Sequence, residues 1–211
     1  MTAPLIALSG IDGSGKTTQA ARLVSWLQPR FPRTQGVKAR LTALQGIFAL
    51  SEDLFGDPYD YHPRIPATLR EFTIACDLLA WSRDTLEPLL GEGSPVIWDR
   101  SPLCYETYAR CYGADMTWPS QLLSRVRQPD LIILLDLEAD ASVRRVQARA
   151  HQPHQTDEDT ALLSVARDTY LELAKQRENV VVVDAGLDPD EVTARLQVVV
   201  TDHLSRVQGT T

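Results

Sequence analysis

Cysteine is scarce in this chain, with Cys76, Cys104 and Cys111 alone among 211 residues. An odd number at no metal-ligand spacing excludes a disulfide framework and predicts a reducing, cytoplasmic home. Cys104 and Cys111, seven apart, read as small hydrophobes on one helix. Long apolar runs are missing too; none approaches the roughly 18 residues of a membrane span. Met1-Thr2-Ala3-Pro4 leads into a short apolar run with no basic stretch, so no signal peptide is expected. Positive charge is also in deficit. The 21 Lys and Arg face 28 Asp and Glu, a net charge of −7, and only Lys16, Lys38 and Lys175 are lysines. Such a surface argues against a nucleic-acid polymer as partner, which needs a basic field. A small anionic ligand, held by a few focused cations, stays compatible with it.

What is present is ordinary for a globular protein: 44% hydrophobic and 23% charged residues. At roughly 150 residues per domain, residues 1–211 form one domain, able to bury about 70% of its unfolded surface without staples. Three short apolar runs read as strands: Leu5–Leu8, Leu131–Leu135 and Val180–Val183. Two weaker ones lie at Val37–Thr42 and Val96–Trp98. Continuous hydrophobicity, as opposed to alternation, belongs to parallel strands covered on both faces. Helical spacing runs over Gly15–Leu27, Ala67–Leu90, Ala139–Ala150, Glu158–Gln176 and Asp188–Val207. In the last, Asp188-Pro189-Asp190-Glu191 makes a good helix start despite the Val198-Val199-Val200 run. Ser51–Pro66, rich in Pro and Asp, reads as an ordered loop. The expected fold is an α/β/α three-layer sandwich around a five-stranded parallel sheet.

Gly10-Ile11-Asp12-Gly13-Ser14-Gly15-Lys16-Thr17 matches G-x-x-x-x-G-K-[ST], between a strand and a helix. The glycines let backbone N–H groups turn inward around phosphate oxygens. The following helix, from Lys16, Thr17 and Thr18 onward, adds its positive end. Lys16 is expected on the β- and γ-phosphates of ATP, and the Thr17 hydroxyl on Mg²⁺. The strand Val96–Trp98 ends in Asp99-Arg100, at the sheet edge where ligands bind in open parallel sheets. There a carboxylate suits Mg²⁺ and an arginine suits a transferring phosphate.

GIDGSGKTT at 10–18, VIWDR at 96–100, PDLIILLDL at 129–137 and DTYLELA at 168–174 together resemble the thymidylate kinase family. The resemblance covers most of the chain, in order, and implies a P-loop kinase transferring the γ-phosphoryl of ATP to a nucleoside monophosphate, with dTMP the expected acceptor. It implies that Asp12 contacts the acceptor sugar, and that Lys16 and Thr17 hold ATP and Mg²⁺. Asp99 and Arg100 then lie near the acceptor phosphate and metal, and Tyr108 borders the acceptor. Arg145 and Arg149 approach adenine and phosphates on the way to a lid near 149–160, while Ala185 and Gly186 flank adenine. A homodimer through helices such as Ala67–Leu90 is also implied.

The chain departs from the family at four places. Ser101 follows Asp-Arg where an aromatic residue is usual. Thr42–Gly46 replaces an Arg-Glu-Pro-Gly stretch. Leu78 or Leu79 stands at the base-reading arginine, although Asp77 beside it fits. The lid segment 151–159 has no arginine, which leaves Arg145, Arg149 or Arg100 for that role. Arg70 is a candidate substitute on the acceptor phosphate and Phe72 a candidate stack for the base, against the ordinary fates of surface Arg and buried Phe. Trp81, Trp98 and Trp118 read as packing residues, His151 and His154 as part of a solvated lid, and Tyr59–His62 as a cover for the acceptor or a surface loop. Two other readings stay open: phosphorylation of a nucleoside or other small hydroxyl compound, with Asp12 or Asp99 as base, or a nucleotide-binding protein with weak catalysis.

Overall fold

A computed structural model describes residues 3–57, 64–148 and 160–209. In chain order the elements are β1 (Leu5–Ser9), α1 (Lys16–Leu27), β2 (Gln35–Val37), α2 (Thr42–Phe55), α3 (Ala67–Trp81), a π turn (Ser82–Leu86), α4 (Glu87–Leu90) and β3 (Val96–Asp99). They continue with α5 (Pro102–Cys111), α6 (Thr117–Leu123), β4 (Leu131–Asp136), α7 (Ala139–Gln147), α8 (Thr160–Lys175), β5 (Val180–Asp184) and α9 (Pro189–Gly209). The five strands form one sheet in the order β2-β3-β1-β4-β5, and every pairing is parallel.

The apolar runs explain this order. All five residues of β1 and the first five of β4 are buried, so these strands take the centre. β5 lies at an edge with Val182 exposed, and β2 lies at the other edge with Gln35 and Gly36 exposed. Helices cover the sheet. α1 buries Ala20, Leu23 and Leu27 on one stripe and packs against α9, while α5 packs against α8 and α3. Val192, Leu196, Val200 and Leu204 of α9 are buried at four-residue intervals, so the valine run belongs to a helix. Trp81 and Trp98 meet in the core with ring centroids 5.1 Å apart. Among the described residues no helix is long and apolar enough to cross a membrane.

Several expectations are corrected. The second strand is Gln35–Val37, and Thr42 opens a helix where Val37–Thr42 was expected to be a strand. Leu44, Ile47, Phe48 and Ser51 turn one face of α2 inward at helical spacing. Residues 51–55, expected in a loop, form the end of this helix, which stops at Gly56 in the left-handed conformation (φ 78°). The expected helix over 67–90 is one run interrupted by the π turn. α6 was not anticipated. Its Trp118 is 64% exposed, not packed. Cys104 is buried as expected, but Cys111 only partly.

Leu50, Leu54 and Phe55 of α2, Leu69 and Phe72 of α3, and Trp118 of α6 are all exposed apolar side chains. α3 packs against both α2 and α6.

Candidate active site

β1 runs straight into the loop at residues 10–15, which must fold back tightly to start α1. Gly10 (φ 141°) and Gly13 (φ 82°) provide that turn, and no side chain fits at either. A Cβ on Gly10 would lie 2.5 Å from the Leu135 carbonyl oxygen at the tip of β4, and one on Gly13 would lie 2.8 Å from the Ser142 carbonyl oxygen in α7. The loop is thus wedged between β4 and α7, and the Ser142 hydroxyl donates to the Asp12 carbonyl oxygen. Gly15 (φ 95°) precedes the first helical residue. Thr18 stands exposed in the first turn of α1.

Lys16 is buried at the centre. Its ammonium donates to the carbonyl oxygens of Gly10 and Ile11, both at 2.9 Å, and approaches Asp12 Oδ1 at 3.4 Å. Burial pulls its pKa down against the opposing pull of Asp12. Ser14 is also buried, and its hydroxyl has no hydrogen-bond partner among the described residues.

The tip of β3 closes the site. Thr17 Oγ1 donates to Asp99 Oδ2 at 2.6 Å, while Asp99 Oδ1 is buried without a partner among the described residues. A hydroxyl and a carboxylate with a spare oxygen are the hard donors that Mg²⁺ takes, so Thr17 and Asp99 fit that ion. Arg100 follows with φ 74°, the one non-glycine at positive φ among the described residues. This strained turn aims its guanidinium at Asp12 Oδ1, 2.6 Å away. Burial raises the pKa of Asp12, but the charges of Arg100 and Lys16 outweigh it and hold the carboxyl well below the usual range. Asp12 in turn raises the pKa of Arg100.

Ser101 does not reach the cleft. It is fully buried, shares a hydrogen bond with Ser9 at 2.8 Å, and caps α5 by accepting from Leu103 N. Tyr108 is buried edge-on to Tyr170, with centroids 6.5 Å apart. Tyr105 was missed at the sequence level; it lies near Arg100, Cys104, Asp99 and Glu71, and burial pushes its phenol up.

The ordinary fates of Arg70 and Phe72 are reversed. Arg70 is buried, and its Nε and Nη2 donate to Glu71 Oε1 at 2.8 and 2.7 Å while the guanidinium covers the Tyr112 ring at 4.1 Å. Phe72 is exposed. Asp77 faces α2, where its carboxylate accepts from the Ala43 and Leu44 amides, and Leu78 is in the core. On the far side, Arg145 Nη2 donates to the Ala185 carbonyl at 3.0 Å, and Gly186 N donates to Asp184 Oδ1. α7 and the Ala185-Gly186 turn therefore lie side by side. Arg149, the lid segment with His151 and His154, and Tyr59–His62 lie outside the described residues.

One cluster escaped the sequence reading. Arg167 of α8 binds both oxygens of Asp136, at 2.6 and 2.9 Å, and approaches Glu138 Oε1 at 2.6 Å. Nothing in the local pattern announces a pair separated by 31 positions.

The family model described as "Thymidylate kinase" matches residues 70–196. A probable thymidylate kinase of Pyrococcus horikoshii is 31% identical over 94% of this chain and 96% of its own. A thymidylate kinase of Synechococcus sp. (strain RCC307) is 32% identical over 97% and 98%. Another, from Desulfosudis oleivorans, is 34% identical over 90% and 93%.

Proposed function

The chain belongs to the thymidylate kinase family, and from that membership we propose that it transfers the γ-phosphoryl group of ATP to dTMP, giving dTDP and ADP. The observation that carries this reading is the convergence, at the tips of β1 and β3, of the buried Lys16 ammonium, the Thr17–Asp99 pair and the Arg100–Asp12 pair.

A phosphate oxygen of dTMP attacks the γ-phosphorus in line, and the bond to the β–γ bridging oxygen breaks, leaving ADP. The acceptor phosphate is already a nucleophile, so no strong general base is needed. Catalysis then consists of positioning and charge neutralisation. Lys16 supplies a positive charge at the loop that cradles the donor phosphates. Arg100 supplies another beside Asp12, and Arg70 is the candidate for the acceptor phosphate. Phe72 and Tyr108 are the further acceptor-side candidates. Arg145 with the Ala185-Gly186 turn suits adenine, and Arg149 the phosphates. Mg²⁺, held by Thr17 and Asp99, would neutralise charge on the β- and γ-phosphate oxygens.

Ser101, whose departure from the family pattern bears on acceptor choice at the sequence level, is a buried helix cap. It carries no preference for a nucleoside. The deciding experiment is a coupled ADP-release assay across nucleosides and nucleoside monophosphates. Turnover with dTMP is expected. Inert dTMP beside an active nucleoside, or ATP binding without acceptor-dependent ADP release, would overturn the reading.

The same proposal includes a cytoplasmic homodimer. The exposed apolar residues on the neighbouring helices α2, α3 and α6 support the dimer, because a lone chain gains from covering such side chains.

A further inference from the structure

Two contacts of α7 bear on the nucleotide site. Ser142 donates to the carbonyl of Asp12 and packs its backbone against Gly13. Arg145 donates to the carbonyl of Ala185. Wherever α7 goes, the inner wall of the phosphate loop and the Ala185 turn go with it. Yet α7 starts without a cap of its own, since its N-cap residue Glu138 makes no side-chain hydrogen bond to the helix.

Arg167 of α8 grips that start from outside. Its Nε and Nη2 form a two-pronged bond to Asp136, the last residue of β4, and its Nη1 reaches Glu138. The Arg167 and Asp136 side chains are each about a quarter exposed (24% and 22%). A planar fork holding the half-buried Asp136 carboxylate by two bonds, with the exposed Glu138 as a third contact, fixes orientation better than a single surface ion pair. Arg167 and Tyr170 also lie beside Gly10 and Ile11, at the start of the loop.

We propose that Arg167 is a positioning residue for ATP: it clamps the tip of β4 and the start of α7 to α8, and so sets where Ser142 and Arg145 meet the phosphate loop and the Ala185 turn. Arg167 acts through these residues, with no contact to the reacting atoms. The proposal rests on the ATP reading above. It makes the donor site depend on this residue more than the acceptor side, which α7 reaches only through the Asp12 carbonyl.

The test compares wild type with Arg167→Met, Arg167→Lys and Glu138→Gln. Binding of a non-hydrolysable ATP analogue is measured by calorimetry, and amide hydrogen exchange across 139–147 is followed without nucleotide. Loss of a bidentate charged contact predicts, for Arg167→Met, an analogue Kd about tenfold weaker and exchange in α7 about tenfold faster. The KM for dTMP should stay within about twofold, and Arg167→Lys should recover only part of the loss, because an ammonium cannot make the fork. Glu138→Gln changes an exposed side chain, so it keeps the test alive if Arg167→Met fails to fold; about a twofold loss of analogue affinity is expected from this one arm. Unchanged exchange and full analogue affinity in the folded variants would overturn the clamp. So would equal losses for ATP and dTMP, the mark of general loosening. If wild type binds no ATP analogue, the proposed function fails instead, and the exchange measurement alone decides whether the clamp exists.

Discussion

Arg100 and Asp12, 88 positions apart in the chain, meet at 2.6 Å, with Arg100 in a left-handed turn that residues other than glycine rarely adopt. The ion pair fixes the guanidinium beside the phosphate loop and leaves Asp12 ionised far into acid.

That has a measurable sign. The folded pKa of Asp12 lies below its unfolded value of about 3.9. Its stabilising contribution is therefore fully present above about pH 4 and is lost as pH falls toward the folded value. Urea midpoints between pH 6 and pH 3 should fall more steeply for wild type than for Asp12→Asn. Parallel slopes would show that the pair does not shift Asp12.

Lys16→Ala should reduce ADP release by about a thousandfold or more, because a buried ammonium among inward-facing groups has no substitute in the loop. Circular dichroism should show a folded protein. Surviving turnover would move the γ-phosphate site elsewhere.

Thr17→Ala and Asp99→Asn remove one donor each from the candidate Mg²⁺ site. Both should raise the Mg²⁺ concentration needed for half-maximal rate, and Asp99→Asn should also lower kcat by about a hundredfold, the scale of a lost transition-state charge contact. A magnesium titration of the initial rate checks both. An unchanged midpoint in both variants would remove the metal assignment.

Gly13→Ala forces a side chain into positive φ and against the Ser142 carbonyl at 2.8 Å. A destabilisation of about 1–3 kcal/mol is expected from the strain, together with weakened ATP binding. Thermal unfolding and calorimetry measure the two separately.

Wild type should elute in light scattering at twice the chain mass of 23.5 kDa. Leu54→Arg and Leu69→Glu place charges on the exposed apolar face and should give the single-chain mass. A wild-type monomer at micromolar concentration would remove the dimer.

What could be read from sequence was what depends on nearest neighbours. Buried strands such as Leu5–Leu8 and Leu131–Leu135 announce themselves by continuous branched residues, and the glycine loop by its spacing. β2 was misplaced because a three-residue edge strand with two exposed residues has no hydrophobic signature. The face of α2 at Leu44, Ile47, Phe48 and Ser51 has helical spacing, but its last turn runs into the Asp- and Pro-rich residues that follow, which carry the pattern of a loop. Arg70 escaped its expected surface position because Glu71 and Tyr112 accompany it inward. Arg167 was invisible, since its partners come from other parts of the chain, and the packing of α8 against β4 and α7 brings them near.

The strand order has a consequence for how the chain reaches this state. β1 is made first but is flanked by β3 and β4, whose partner residues begin at Val96 and Leu131. During synthesis its apolar residues must wait for nearly ninety further residues before β3 follows, and longer still for β4. Such distant pairings make for slow, aggregation-exposed acquisition of structure. Refolding from denaturant should accordingly take on the order of seconds rather than milliseconds.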